Sequence, residues 1–411
     1  MSLPPHHPSP DRSPGVDATG PGTRLHRERF LLALLLVQLA IVGAMFPYYA
    51  FARQDAWGLK AFAVALAALG LAAVVGVWRR APWALWAVVV LVSLKLVVDV
   101  FNFATDLDRR LLPVAALVNV ATLCLALALA RPIGARVTGG MRAFFASVLA
   151  LAAWVAVRGL FFPAHLAATI PFNVPPLHSR FLGAMYVSGA TFMLLAIRAR
   201  AWSEVRIVVT MVAIWTGMLG LVSLRFLEAF DWAEPQTWTW FIAYSAFPIV
   251  AAWIAWRQRG APHVDRVAKP DDATPSSPAP SPVPPALRAY LWAQGAAVTL
   301  LALALLAAPA AVATVWPWKI STQLAQVYSA PFLSYGVGSV LSARAAAMSE
   351  VRIALASTLV FTIAVLGASA LHRPLFAPTA PATWLWFGGF GLATAVLLRY
   401  VLALPRRTET R

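Results

Sequence analysis

Long apolar runs dominate this chain and restrict what it can fold into. Twelve stretches of about 20 residues contain few charged side chains. A helix needs roughly 20 apolar residues to cross the ~30 Å hydrocarbon core of a bilayer. The runs lack the strict alternation of apolar and polar residues that a membrane β-barrel requires. The sequence therefore predicts an all-α integral membrane protein with about 12 transmembrane helices. The predicted spans are 30–51, 58–78, 82–103, 111–130, 142–162, 177–198, 203–226, 236–257, 286–309, 323–344, 349–371 and 382–403.

Composition agrees with this class. Hydrophobic residues make up 60% of the chain and charged residues 12%, whereas about a quarter of the residues in soluble domains are charged. The net charge of +17 would suit a nucleic-acid-binding protein, but the basic residues lie in short clusters between apolar runs. The single cysteine, Cys124, allows neither an internal disulfide nor a cysteine-based metal site. We therefore predict the lipid bilayer as a partner and no nucleic acid.

An internal repeat organises the second half of the chain. The ten residues that begin at Arg198 recur from Arg344, with Ser-Glu-Val-Arg-Ile retained in both copies at a shift of 146 residues. The same shift carries Trp240 onto Trp386 without any gap. Self-similarity at a fixed period indicates a repeated structural unit.

The first third of the chain shows a weaker relation to the same unit. A shift of 119 residues brings Gly70 onto Gly189 and Trp83 onto Trp202. We therefore predict three four-helix units, of which the first has diverged. Because each unit contains an even number of spans, all three have the same orientation, and the internal repeats are parallel.

Boundaries between the units follow from changes in composition. The terminal segments and the Pro/Ser-rich linker contain too few apolar residues to bury a core, so we predict them to be disordered. The predicted segments are a tail (1–28), unit one (29–135), unit two (136–259), a linker (260–285), unit three (286–405) and a second tail (406–411).

Arginine and lysine residues are distributed unevenly among the loops. They are concentrated in the two tails and in the loops that follow even-numbered spans, such as Arg79 and Arg80 after the second span. Cytoplasmic loops carry the excess of Lys and Arg in membrane proteins. Both tails and the linker are therefore predicted to be cytoplasmic.

One pair of opposite charges lies within a predicted span. Lys95 and Asp99 are four residues apart and share one helix face near the predicted outer end of the span, where Asn102 continues the polar stripe. A charge in the bilayer centre costs about 2.5–3.5 kcal/mol. Two interpretations remain open. The pair is either a structural ion pair or a proton-coupling or ligand-binding carboxylate that the lysine holds.

A second group of polar residues is predicted at the outer face. Arg158, near the end of its span, and His178 are placed to approach Glu228 and Asp231 of a later outer loop. The spacing fits no metal-ligand motif, so we predict no metal there. A rigid Pro-rich cap is the role that we assign to this region.

The repeated motif itself opens two spans. Ser203 and Ser349 are predicted helix N-caps, each followed by a glutamate that suits the positive end of the helix dipole. Arg206 and Arg352 would then reach the lipid headgroups. The alternative is a cytoplasmic gate or a docking turn for a partner.

No motif for catalysis, phosphate binding or metal binding occurs in the sequence, so we predict no enzyme, cofactor or metal. The segment Arg180-Phe-Leu-Gly-Ala-Met-Tyr186, between an outer Pro-aromatic loop and a short basic turn, resembles uncharacterised bacterial four-helix membrane modules of the DoxX-like kind. The resemblance covers 170–257 and implies a bacterial cytoplasmic membrane but no site residues. Unit three departs from it at Gln326 and Ser329.

Two classes of function remain open. A permease or small-ligand binder with its site between units is favoured by the tandem units, because such sites commonly lie at repeat interfaces. A structural or accessory membrane component without a transported substrate is favoured by the small number of charges within the spans. The sequence leaves the ligand and the oligomeric state unknown.

Overall fold

The computed structural model describes residues 28–40, 57–105, 112–130, 135–172, 174–258 and 281–403. Within these ranges the regular structure is helical, and the only β-type pairings are two isolated antiparallel bridges. The prediction of an all-α chain is confirmed there. Most of the predicted tails and linker, and the second half of the first predicted span, lie outside the described residues.

We number the α-helices of the described ranges in chain order. They are α1 (28–40), α2 (Trp57–Trp78), α3 (Ala84–Ala104), α4 (Leu112–Leu129), α5 (Gly139–Phe161), α6 (Pro176–Arg198), α7 (Trp202–Arg225), α8 (Pro235–Arg257), α9 (Pro285–Ala307), α10 (Pro309–Val315), α11 (Thr322–Ala343), α12 (Met348–Leu371) and α13 (Pro381–Leu402). Short 3-10 turns cover Pro163–Ala168, Leu227–Ala229 and Arg373–Leu375.

Nine helices in these ranges are long and apolar enough to cross a membrane. They are α2, α3, α5, α6, α7, α8, α9, α12 and α13. This is the architecture of a multi-pass membrane protein. The three other predicted spans coincide with α1, α4 and α11, of which α4 contributes a shorter apolar stretch, Val114–Leu129.

Helix α11 is long enough to span a bilayer but is more polar than the nine. It buries 16 of its 22 residues, whereas α13 buries three of 22. Small and hydroxyl-bearing residues such as Ser334, Gly338 and Ser342 account for much of this surface. Membrane helices pack closely through such residues. The low hydropathy of α11 therefore follows from contact with other helices instead of with lipid.

The helices pack as hairpins, and the hairpins of predicted unit two contact those of predicted unit three. Helix α5 packs against α6 and α7 against α8, and in the same way α9 packs against α11 and α12 against α13. Helix α6 also packs along α12, and α11 along α7, whereas α6 and α7 hardly touch. Units two and three of the sequence are therefore not two separate four-helix bundles.

The elements of these two units recur at a constant separation. Helices α5, α6, α7 and α8 begin at 139, 176, 202 and 235, and α9, α11, α12 and α13 begin at 285, 322, 348 and 381. Where α6 crosses α12, Ser188 Oγ donates to the Ser357 carbonyl at 2.7 Å. Where α11 crosses α7, Ser334 Oγ donates to the Met211 carbonyl at 2.8 Å. The two donor serines are 146 residues apart in the sequence, and so are the two acceptor residues.

The loops before α7 and α12 show the same relation. The bridge Arg136↔Ala201 precedes α7, and the bridge Pro282↔Ala347 precedes α12. The last residues of the predicted linker are thus paired with the start of unit three's second hairpin, and Met348 N donates to the Ser281 carbonyl at 2.8 Å.

Gln326, at which unit three departs from the pattern of unit two, makes the same contact as its counterpart Arg180. Arg180 Nε donates to the Leu160 carbonyl at 3.3 Å, and Gln326 Nε2 donates to the Leu306 carbonyl at 2.9 Å. Both bonds tie the second helix of a unit to the end of its first helix. The two side chains differ in charge but fill the same structural role.

Unit one joins the rest through α3, which packs against α8. The Phe101 ring lies 5.3 Å from the Trp232 ring and 4.9 Å from the Trp238 ring. Within the unit, Gln38 Nε2 donates to the Val118 carbonyl at 3.1 Å and so links α1 to α4.

We predict that the α5–α6 contact tolerates no side chain at Gly183. A Cβ there would lie 2.7 Å from Leu160 N and 2.9 Å from the Gly159 carbonyl carbon, both backbone atoms. Gly183→Ala should therefore lower the free energy of unfolding by about 1–3 kcal/mol through overpacking. Thermal unfolding in detergent measures the change. Gly367→Ala, where a Cβ meets nothing within 4 Å, is the control. An equal loss in both variants would contradict the prediction.

Candidate functional site

A buried ionic cluster lies between α3 and α4. Lys95 Nζ donates to both carboxylate oxygens of Asp99, at 3.0 and 2.9 Å, and Asn119 Nδ2 donates to the same carboxylate at 2.6 Å. Lys95 and Asp99 are only 3% and 7% exposed. Lys95 and Asp99 were predicted from the sequence, whereas Asn119 was not. An asparagine within an apolar run was the signal that could have identified it.

The cluster occupies the second half of α3 (Ala84–Ala104). Lys95 lies one residue past the midpoint of this helix, and Asp99 lies five residues before its last residue. Asn102 is half-buried in the last turn of the same helix. Within the described ranges, Asn119 Oδ1 is buried without a hydrogen-bond partner. The cluster therefore neutralises both charges and leaves one acceptor for a proton donor such as water.

The predicted outer-face cluster does not assemble. Arg158 Nε donates to Thr169 Oγ1 at 3.3 Å, and its guanidinium lies 5.1 Å from the Trp154 ring centroid. Glu228 and Asp231 are exposed in the loop between α7 and α8, and neither pairs with Arg158. No group of three or more His, Cys, Asp or Glu that could hold a metal occurs within the described ranges.

His178 points into the protein instead of toward these acids. Its Nε2 lies 3.0 Å from the Lys319 carbonyl, which can only accept, so Nε2 carries the proton. In the neutral ring, Nδ1 then accepts from the Tyr328 hydroxyl at 2.7 Å. His178 thus joins α6 to unit three, because Lys319 and Tyr328 both belong to that unit. His178 is therefore buried at a contact between units, not in the predicted outer-face cluster.

A second histidine, His372, follows the end of α12 and also makes a contact between units. Arg180 Nη1 lies 2.6 Å from His372 Nε2, so the guanidinium donates and the imidazole accepts. This contact requires a neutral ring. Burial and, secondarily, the charge of Arg180 lower the pKa of His372.

The repeated motif forms an ion pair between its two copies. Arg206 Nε donates to Glu350 Oε2 at 2.9 Å, and Nη2 contacts the same oxygen. Glu350 is buried, and Arg206 is half-buried. The prediction that Arg206 reaches the headgroups is thus replaced by a pairing across the interface. Arg352, the counterpart of Arg206, has no hydrogen-bond partner in the part of the chain that the structure describes.

The predicted serine caps are wrong. The N-caps are Ala201 for α7 and Ala347 for α12, so Ser203 and Ser349 lie inside the helices. In α7, Glu204 Oε1 accepts the backbone N–H of Ala201 at 3.1 Å and so supplies the cap. The glutamate part of the interpretation therefore holds for this helix.

A groove opens where the three predicted units meet. It has a volume of about 510 Å³ and lies between α3, α7 and α8. Leu96 and Val100 contribute from α3, and Leu333 contributes from α11. Sites for small molecules commonly have volumes of about 300–1,000 Å³ and mostly apolar walls. None of the described residues that line this groove is charged, and Ser245 and Tyr244 carry its hydroxyl groups.

Local backbone features explain the shape of the groove. Pro248 lies inside α8 and lacks the N–H that would bond to the Tyr244 carbonyl. That carbonyl instead faces Gly220 of α7, where a Cβ would lie 2.8 Å from the oxygen. Gly217, one turn earlier, leaves space in the wall. The groove therefore depends on two glycines and an intrahelical proline.

A smaller cavity of about 50 Å³ lies next to the groove, inside unit two. Tyr186, Trp215 and Tyr244 form part of its wall, and the hydroxyls of Tyr186 and Tyr244 hydrogen-bond to each other. Sequence reasoning did not single out either tyrosine, because isolated tyrosines in apolar spans are common.

Comparison of the chain with protein-family models, with curated proteins and with solved structures finds no match. The resemblance to DoxX-like modules therefore stays a prediction.

We predict that Asp99 is needed mainly to neutralise Lys95. Asp99→Leu leaves a buried, unpaired ammonium and should lower the free energy of unfolding by about 3–5 kcal/mol. Lys95→Leu combined with Asp99→Leu should recover most of this loss. Adding Asn119→Leu should recover about 1–3 kcal/mol more, because it removes an amide that has lost its acceptor. Thermal unfolding in detergent compares the three variants. If Asp99→Leu alone were as stable as wild type, the prediction would be contradicted.

We predict that acidification weakens the contact between Arg180 and His372. The folded-state pKa of His372 lies below its unfolded value of about 6.5. The unfolded chain therefore binds more protons as the pH falls through this range, and stability falls with it. The variant His372→Gln keeps a hydrogen-bond acceptor but does not titrate. Between pH 7.5 and pH 5.5, about one unit either side of the unfolded-state pKa, its melting temperature should therefore fall less than that of wild type. His165→Gln, at an exposed histidine, should keep the wild-type slope. Identical slopes for all three proteins would refute the prediction.

Proposed function

We propose that this chain is a bacterial cytoplasmic-membrane protein with twelve spans and both tails in the cytoplasm. The nine apolar helices, and the coincidence of α1, α4 and α11 with predicted spans, support the span number. The arginine-rich loops after even-numbered spans support the orientation. No enzymatic role is proposed, because the sequence contains no catalytic motif.

The proposed architecture contains three units of DoxX-like kind, with units two and three related by a pseudo-twofold axis along the membrane normal. The recurrence of helix starts after 146 residues supports this relation. The reciprocal hydrogen bonds of Ser188 and Ser334 support it independently, because they occupy equivalent positions on either side of the axis.

Binding of a small apolar molecule is the function that the geometry supports best, in a permease or a ligand-binding membrane protein. The observation that carries this proposal is the groove of about 510 Å³ between α3, α7 and α8. The groove is large enough for a small molecule. It also lies where the three predicted units meet, and transporters built from repeats commonly place their sites at such junctions.

The lining of the groove limits the ligand to neutral molecules. A charged group there would lose its hydration without gaining a counter-charge, which costs several kcal/mol. Lys95 and Asp99 are already paired with each other. They are the sequence neighbours of Leu96 and Val100, which line the groove. We therefore assign this ion pair to the architecture of unit one and leave binding to the groove.

A structural or accessory component remains the second candidate. The interface between units two and three favours it, because aromatic rings fill that interface on the side of His178. The Phe181 ring of unit two lies 4.8 Å from the Tyr328 ring and 5.4 Å from the Trp386 ring, both in unit three. Such packing joins the two units directly.

The groove proposal can be tested with benzophenone, a neutral photoreactive ketone. Under ultraviolet light it should label peptides of α7 and α8, and excess unlabelled benzophenone should suppress the labelling. Gly217→Leu should abolish this saturable labelling by filling the groove, since an added Cβ would lie 3.4 Å from Pro248 Cβ. The control Gly367→Leu adds the same side chain where space is open. Unchanged labelling in the Gly217 variant would favour the structural alternative.

A further inference from the structure

Two buried tyrosines contact each other where α6 and α8 meet. The hydroxyl of Tyr186 hydrogen-bonds to the hydroxyl of Tyr244, and the two residues are 9% and 7% exposed. Aromatic rings surround the pair, with Trp215 at 5.7 Å from the Tyr186 ring and Trp240 at 4.3 Å from the Tyr244 ring. The Trp240 N–H is already used, because it donates to Ser223 Oγ at 2.8 Å.

The two hydroxyls do not satisfy each other completely. Each tyrosine has one O–H donor, and the single hydrogen bond between them uses only one of the two protons. Among the described residues, neither Tyr186 nor Tyr244 has a further side-chain partner. One buried O–H donor is therefore left over. Such a donor destabilises a protein unless something accepts its proton.

Open space adjoins this pair. Tyr244 lines the groove of about 510 Å³, and both tyrosines line the cavity of about 50 Å³. The other hydroxyl in that smaller cavity, on Thr216, already donates to the Val212 carbonyl at 2.6 Å. Ser245 adds a hydroxyl to the groove wall beside Tyr244. The other described residues that line the groove are apolar, so Tyr244 and Ser245 supply the hydroxyl groups of its wall.

We propose that the Tyr186–Tyr244 pair binds the polar group of the ligand by donating its spare proton. The ligand class is a neutral molecule with an apolar body and an oxygen acceptor, such as a ketone, ester or ether. The inference rests on the proposed groove and specifies what that groove selects. An apolar molecule without an oxygen would leave the donor unsatisfied. A charged molecule would lack a counter-charge in the wall.

Selectivity for a carbonyl tests this inference. Benzophenone has a carbonyl where diphenylmethane has a methylene. The ratio of their potencies in displacing labelled benzophenone therefore measures the contribution of one hydrogen bond. Wild type should favour benzophenone about tenfold, which is the value of one buried hydrogen bond. Tyr186→Phe combined with Tyr244→Phe should reduce this ratio to near unity while keeping the shape of the wall.

The single variant Tyr186→Phe gives a sharper expectation. The remaining Tyr244 hydroxyl loses its partner there, so its proton becomes free for the ligand. The tenfold preference for benzophenone over diphenylmethane should therefore persist. A tenfold ratio in the double phenylalanine variant, or its loss in Ser245→Ala alone, would overturn the inference. Thermal unfolding of every variant checks that the fold is intact.

The same experiment separates this inference from the proposed function. If Gly217→Leu abolishes binding of both compounds but wild type does not distinguish them, the groove binds ligand and the tyrosine assignment is wrong. If neither compound displaces the label from wild type, the proposed groove function fails and the tyrosine assignment fails with it.

Discussion

Apolar surface gains little by leaving lipid for another helix, so close contact and hydrogen bonds must hold this protein together. Glycine permits backbone contact, and a Cβ on Gly183 would lie 2.7 Å from Leu160 N. Hydroxyls then bond to backbone carbonyls across the helix crossings, as Ser188 and Ser334 do. Buried charges occur as partners, in the pair of Arg206 with Glu350 and in the cluster around Asp99. The groove is the exception, because α7 and α8 meet there without filling the space toward α3.

The sequence predicted the parts of the fold that depend on the solvent around each helix. Length and apolarity decide which segments enter a bilayer, so the predicted spans coincide with helices throughout the described residues. Hydropathy does not specify which helix packs against which, and the exchange of partners between units two and three was therefore not predictable. The pair of Arg206 with Glu350 shows the same limit. The repeat identified both residues but could not show that each copy binds the other. The predicted caps at Ser203 and Ser349 failed because each helix begins before its serine.

The candidate site was predictable only where a residue was unusual for its surroundings. Lys95 and Asp99 stand out as charges within an apolar run, and their pairing followed from their spacing. Tyr186 and Tyr244 do not stand out, since an aromatic residue in a span carries no sign of its partner. Pro248 was a usable signal, because a proline within an apolar run frees a carbonyl and disturbs packing. The groove is lined by α3, α7, α8 and Leu333 of α11, which are far apart in the sequence, so no single segment encodes it.

The exchange of partners between the hairpins affects the order in which the protein can assemble. Helix α6 ends at residue 198, but α12, against which it packs, begins only at residue 348. A ribosome adds about 5–20 residues per second, so roughly 10–30 seconds pass before the partner of α6 has been made. During that interval the polar face of α6, including His178 and Ser188, has no counterpart from unit three. A temporary occupant of that face, such as an insertion chaperone or a neighbouring nascent helix, would therefore protect the half-made protein.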